Sequence, residues 1–314
     1  MRTPFSWLAA RYSTGPRMLQ AAATSALVAA ILIVAGGGVV RVTGSGLGCP
    51  EWPNCTSSTL APTAEMGIHG IIEFGNRLIT VLLCVIIAWL IITARLQKNQ
   101  RRDITRTAWW QFWVVVLNAV MGGVTVWVDL NPFMVAAHFI AAMLLATSAA
   151  ITFDKVNRMN KPATEPGSPA QAKLGTAVLV LTAIIIVIGT LVTGSGPHAG
   201  DSADVPRMPF NWTGITVLHG VLTIAPLVLV LILWASARKQ GKNDLWFKSV
   251  AYLGTYALQA AIGIVQSFTG LPEWLVVLHL CGAAFLWIGA VRLFITSRTS
   301  LKEPAASPEL SRTA

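Results

Sequence analysis

RVTGSGLGCPEWPNC, Arg41 to Cys55, followed after eleven residues by GIHGIIEFGNR, Gly67 to Arg77, joins two long apolar runs. The second run carries His69, Glu73, Asn76 and Arg77 in its first turns. Ionisable groups within hydrocarbon cost several kcal/mol unless paired or used, so they mark a functional face by default. Part of the motif recurs. VTGSG at 42–46 returns at 192–196, and His69-Gly70 returns as His219-Gly220 at the same offset. A duplicated module with a histidine in each copy predicts two related sites.

Working outward, the 314-residue chain is 54% hydrophobic and only 11% charged, with a mean hydropathy of +0.64. Such a composition excludes an ordinary soluble domain. Eight apolar runs approach the roughly 20 residues that span a bilayer as helix. They lie near 19–42, 64–94, 108–128, 132–153, 174–194, 212–236, 247–269 and 273–296. The second is longer than a span requires and is expected to open with an interfacial turn or to tilt. The expected fold is an all-α integral membrane protein whose eight transmembrane helices form two pseudo-symmetric four-helix bundles. Its units are a tail at 1–18, an N-terminal half at 19–153, a Pro- and Gly-containing linker at 154–172, a C-terminal half at 173–297 and a tail at 298–314.

The net charge of +10 does not indicate nucleic acid, because its distribution follows the membrane. With the N-terminus inside, 20 of the 23 Lys and Arg residues fall on cytoplasmic segments, leaving Arg41 and Arg207 outside and Arg77 within a span. This positive-inside pattern places both termini in the cytoplasm. No small-residue cleavage site follows the first span, which is therefore read as a membrane helix and not a cleaved signal.

Cys49 and Cys55 share the first outer loop, on the oxidising side, where a disulfide is the natural reading. Cys84 and Cys281 lie within spans as small apolar residues. On a helix Glu73 follows His69 by one turn, Asn76 shares nearly the same face, and Arg77 stands at i+4 from Glu73, a spacing for an ion pair. His138, His219 and His279 each lie about two turns into an even-numbered span, so the three imidazoles reach one depth near the outer leaflet. A tetrahedral zinc site would need ligands converging on one point, and separation between the halves opposes that. Imidazoles on facing helices of a bundle instead suit a flat metal-porphyrin, with Gly70, Gly220 and Gly282 making room for it.

RVTGSGLGC with a second loop cysteine, IEFGNR on the second span and a histidine at matching depth in the even spans strongly resemble the heme A synthase family over nearly the whole chain. The resemblance implies a bacterial plasma-membrane enzyme that oxidises the C8 methyl of heme O to a formyl group, giving heme A for terminal oxidases, with heme b as cofactor. It further implies that His219 and His279 are axial ligands of heme b, and that His138 and the second-span face serve the substrate heme. An enzyme making heme O and the assembly of a terminal oxidase are the implied partners, beside membrane lipid.

Two departures stand out. Where the family commonly has Glu-x-x-His-Arg, this chain has Glu73-Phe-Gly-Asn76-Arg77. A neutral amide is a poor iron ligand, so His138 acts alone or His69 takes the role, and the repeat register favours His69. The later outer loop has GPHAGD, with His198, in place of a cysteine pair. Glu73 is the expected acid/base residue, since methyl oxidation releases protons from a site in hydrocarbon; a simple ion pair with Arg77 is the alternative. Arg77 would alternatively meet a heme propionate. Two rival classes remain: a di-heme cytochrome b-type electron-transfer subunit, which leaves its hemes unaltered, and a transporter built on repeats with buried polar groups, which holds no porphyrin.

Overall fold

A computed structural model describes residues 7–8, 11–159, 164–198, 200–201 and 205–301. Asp204, Lys161, most of the tail before residue 11 and the tail beyond residue 301 lie outside the described residues. Each apolar run is helical, as hydrocarbon demands, because only a helix satisfies every backbone amide within one segment. The helices are α1 (Pro16–Val42), α2 (Gly67–Arg95), α3 (Arg102–Trp127), α4 (Pro132–Asn157), α5 (Pro169–Ser195), α6 (Trp212–Leu222), α7 (Ile224–Lys239), α8 (Asn243–Phe268) and α9 (Glu273–Ser297). Counting α6 and α7 as one span, seven segments among the described residues are long and apolar enough to cross a membrane. α8 is the eighth long helix, with Lys248, Gln259 and Gln266 diluting its apolar sequence. The chain is a multi-pass membrane protein.

Local chemistry sets the helix starts. Pro16, Pro132 and Pro169 each occupy a first turn, where a missing N–H costs nothing. Asn131 caps α4 by accepting from Phe133 N at 3.0 Å, and Asn211 caps α6 by accepting from Gly214 N at 2.7 Å. The long second span does open with a turn, a 3₁₀ segment at Ala64–Met66.

Three expectations change. The sixth span is not continuous: it breaks at Thr223, three residues before Pro226, which has no N–H to offer the preceding turn and crowds its carbonyl. The Thr223 amide turns to the Gly220 carbonyl at 3.3 Å, a 3₁₀ bond. The stretch 154–172 is not all linker, since α4 runs to Asn157 and α5 starts at Pro169. Within it, β1 (Thr164–Pro166) pairs antiparallel with β2 (Thr299–Leu301), so the start of the C-terminal tail is ordered against the inter-half connection.

In the N-terminal half α1 meets α2, α2 meets α3, α3 meets α4, and α4 returns to α1. In the C-terminal half α5 meets α6 and α7, α7 meets α8, α8 meets α9, and α9 returns to α5. Each half is thus a closed ring of four spans in which the second and fourth stand diagonally. Alanines of α1, among them Ala22, Ala23, Ala26 and Ala30, are fully buried with Leu83, Ile87 and Leu90 of α2. Small side chains let these backbones approach, which is how helices associate without a hydrophobic driving force. Between the halves, α9 packs on α1 and α4, and Trp287 Nε1 donates to Met143 O (3.0 Å) and to Thr147 Oγ1 (2.7 Å). Large apolar side chains such as Ile71, Leu78, Leu82 and Val85 of α2 face outward, as lipid-contacting residues do.

Candidate functional site

The outer end of the N-terminal half is closed by the loop between α1 and α2. Cys49 and Cys55 are joined in a disulfide and fully buried. Glu73, one turn and a half into α2, is buried and holds this loop: its Oε2 accepts from Cys49 N at 2.6 Å and its Oε1 from Arg77 Nη2 at 2.6 Å. Arg77 donates in turn to the carbonyls of Cys49 (3.1 Å), Glu51 (3.0 Å) and Asn54 (2.8 Å). The i+4 ion pair read from the sequence therefore forms, and the guanidinium is also committed to loop carbonyls. Trp52, at the tip of the loop, lies on Gly123 of α3, where a Cβ would come within 2.6 Å of its ring, and meets Trp127 edge to face at 5.5 Å. The loop is a plug seated on α2 and α3.

His69 does not share the depth of the other histidines. It is the third residue of α2, whereas His219 is the eighth of α6, and its Nδ1 pairs with Ser45 Oγ at 3.0 Å. The common offset that equates His69 with His219 fails in space because the first outer loop is longer than the third. The side chain that reaches the interior on α2 is Asn76. His198 also stays at the surface loops, its Nε2 3.1 Å from Leu271 O, and Asp201 Oδ2 accepts from Leu47 N at 2.9 Å, lacing the outer loops of the two halves together.

Among the buried side-chain atoms without a hydrogen-bond partner are Asn76 Oδ1 and His138 Nδ1 in the N-terminal half and His219 Nδ1 and His279 Nδ1 in the C-terminal half, the His219 ring also approaching the Ile185 backbone; others, such as Gln111 Oε1 and Gln259 Oε1, lie elsewhere in the bundles. Native interiors rarely leave such groups unpaired, and these four share a further feature. Each also faces a glycine on the preceding span. A Cβ at Gly36 would lie 2.5 Å from Asn76 Oδ1, one at Gly122 3.3 Å from His138, one at Gly189 3.1 Å from His219 and one at Gly263 3.0 Å from His279. These glycines make the room beside the four groups; of those singled out in the sequence, Gly70 and Gly282 are crowded and Gly220 is not. Gly70 is closed in by Met66 and Pro62, Gly220 faces open space, and Gly282 adjoins the Gln259 side chain. The sequence marks Gly36 and the Gly122-Gly123 pair as small residues within spans, but the pairing of each glycine with an inward group is not read from it, although a signal exists: Gly122 and His138 recur as Gly263 and His279 at one spacing of 141 residues.

In the C-terminal half the two diagonal helices bring His219 and His279 opposite each other, with ring centroids 6.5 Å apart and planes inclined at 65° in an edge-type arrangement. Two imidazoles on opposite sides of one metal, each about 2 Å from it, put their centroids about 6 Å apart. The pair therefore fits axial ligation of a heme iron between them, and the partnerless nitrogens fit it too. No group of three or more His, Cys, Asp or Glu able to hold a metal ion occurs among the described residues, which leaves no zinc-type cluster there.

A family model for the cytochrome oxidase assembly protein, COX15-CtaA, matches residues 21–291. Curated relatives include the heme A synthase of Listeria welshimeri, 24% identical over 81% of this chain and 87% of the relative. The heme A synthase of Lysinibacillus sphaericus is 25% identical over 84% and 90%, and that of Symbiobacterium thermophilum 26% over 79% and 85%.

Proposed function

The chain belongs to the COX15-CtaA family of cytochrome oxidase assembly proteins, and from that premise we propose that it is a heme A synthase, oxidising the C8 methyl of heme O to a formyl group. The observation that carries the reading is the facing pair His219 and His279, separated as two axial ligands of one iron would be.

His219 and His279 would hold heme b in the C-terminal half, where the bound group supplies electron-transfer capacity. His138 holds the substrate heme in the N-terminal half, with Gly122 and Gly36 clearing the space beside His138 and Asn76. Asn76, a weak ligand, leaves the substrate iron held from one side and so eases release of product. The disulfide plug, pinned by Arg77 and by Trp52 on Gly123, excludes water from above. Glu73 accepts the proton released as the methyl group is oxidised. Its buried carboxylate sits under the plug, one helical turn from His69, whose Nδ1 pairs with Ser45 Oγ in the loop, and these two would carry the proton outward.

The distribution of Lys and Arg supports a bacterial plasma-membrane location with both termini cytoplasmic. A membrane enzyme that makes heme O supplies the substrate, and terminal oxidase assembly consumes the product.

The test is heme extraction from cells that make heme O, with and without this protein. A formylated heme that appears only with the protein is the expected result. Retained heme b with no formylated product would favour the electron-transfer reading, and a colourless purified protein the transporter.

A further inference from the structure

Both imidazole-bearing turns of the C-terminal half are tied through backbone carbonyls to one stripe of α8. Tyr256 Oη donates to Thr223 O at 3.0 Å and lies 3.2 Å from Thr223 Oγ1, one turn after His219. Three residues along α8, Gln259 Nε2 donates to the carbonyl of His279 itself at 2.8 Å. One further turn on, Gly263 faces the His279 ring. Spacings of three and four residues align Tyr256, Gln259 and Gly263 on one helix face.

Elsewhere the His219 turn is held by the approach of its ring to the Ile185 backbone and by its packing on Gly189 of α5. α6 has only 11 residues, none of them buried. Its hydrogen-bond ladder also fails in the turn that carries the ligand, because the Thr223 amide bonds to Gly220 O and not to His219 O. With the ladder broken there, hydrogen bonds in a low-dielectric interior carry much of the turn's placement.

The N-terminal half lacks this device. Asn118, Gly122 and His138 recur as Gln259, Gly263 and His279 at the constant spacing of 141 residues, and Asn118 Nδ2 likewise donates to a carbonyl of the facing helix, Ala141 O, at 3.0 Å. At that spacing Tyr256 corresponds to Val115, an apolar residue buried in the core. α2, moreover, runs unbroken past Asn76 to Arg95.

We propose that Tyr256 is a positioning residue that locks the His219-bearing turn onto α8, and that this lock distinguishes a permanently held heme in the C-terminal half from an exchangeable one in the N-terminal half. The inference rests on the axial-ligand reading of His219 and His279. The lock acts on the chain: it holds the imidazole on its side of the pocket, poised to rebind once the ligand bond breaks, and so slows release.

Tyr256→Phe keeps the ring and removes only the hydroxyl. The purified protein and the variant are compared by low-temperature EPR, by redox titration of bound heme and by the rate of heme transfer to excess apomyoglobin. Shifted g values, a shifted midpoint potential and about fivefold faster transfer are expected, the factor that loss of a net hydrogen bond of about 1 kcal/mol brings. Thr223→Val, which keeps the carbonyl bond, should change transfer in the same direction by less. If Tyr256→Phe matches the unaltered protein in all three measurements, the lock is overturned; if that variant does not accumulate, unchanged transfer in Thr223→Val overturns it. An unaltered protein without a bis-imidazole signal removes the ligand reading and the lock with it, whereas a normal signal with an indifferent Tyr256→Phe removes only the lock.

Discussion

At the scale of the residue, the account turns on Glu73. Its carboxylate holds two hydrogen bonds of 2.6 Å, one to the plug and one to Arg77. Glu73→Gln preserves the shape and an acceptor for Cys49 N–H but cannot take up a proton. The variant should keep its heme b absorption and stop producing formylated heme, as read by extraction and chromatography; normal product yield would remove Glu73 from the chemistry. The ion pair with Arg77 was legible from the i+4 spacing, and so was the Cys49–Cys55 bond from the loop. The reach of Arg77 to four loop carbonyls was not, because a loop's path over a helix is set by long-range packing that spacing does not encode. His69 misled for a related reason: an offset carried across outer loops of unequal length equates residues that lie at different depths.

At the scale of the element, the four glycines opposite Asn76, His138, His219 and His279 make the clearest claim. A side chain at these positions would occupy the space beside each inward-pointing group. Gly263→Val should abolish retention of heme b through purification while leaving the helical circular dichroism intact, whereas Gly122→Val should spare heme b and reduce conversion of heme O at least tenfold, since misplacement by about 1 Å costs roughly that or more. Equal loss of both hemes in either variant would contradict the division of labour. Helix existence was readable from composition alone, because eight runs of spanning length admit few alternatives in lipid. The break at Thr223 was foreshadowed only by Pro226, and its partner Tyr256, 33 residues along the chain, becomes visible only once α7 and α8 pack.

At the scale of the whole molecule, the halves are joined at the ends away from the disulfide plug by a largely buried ionic cluster. Asp154 of α4 pairs with Arg158 (2.7 Å), with Lys248 of α8 (3.1 Å) and with Arg292 of α9 (3.6 Å). Asp244 engages Arg158 and Lys248 at 3.3 and 3.5 Å, and Thr296 Oγ1 accepts from both cations, beside a cavity of about 390 Å³. Removing Asp154 leaves Asp244 as the one carboxylate facing Arg158 and Lys248 in the cluster, so Asp154→Ala should destabilise the detergent-solubilised protein by about 1–3 kcal/mol in denaturant titration. Asp103→Ala, which removes a more exposed partner of Arg101 and Lys155, should cost less than about 1 kcal/mol. Similar costs for the two would show that the cluster does not join the halves.

The central claim is that two imidazoles from diagonal helices of the C-terminal half hold one heme. It is tested most directly by the EPR spectrum of the purified, oxidised protein beside His219→Ala, His279→Ala and His138→Ala. The account expects a low-spin bis-imidazole signal in the unaltered protein and in His138→Ala, lost in the other two. A signal that survives both His219→Ala and His279→Ala would contradict it.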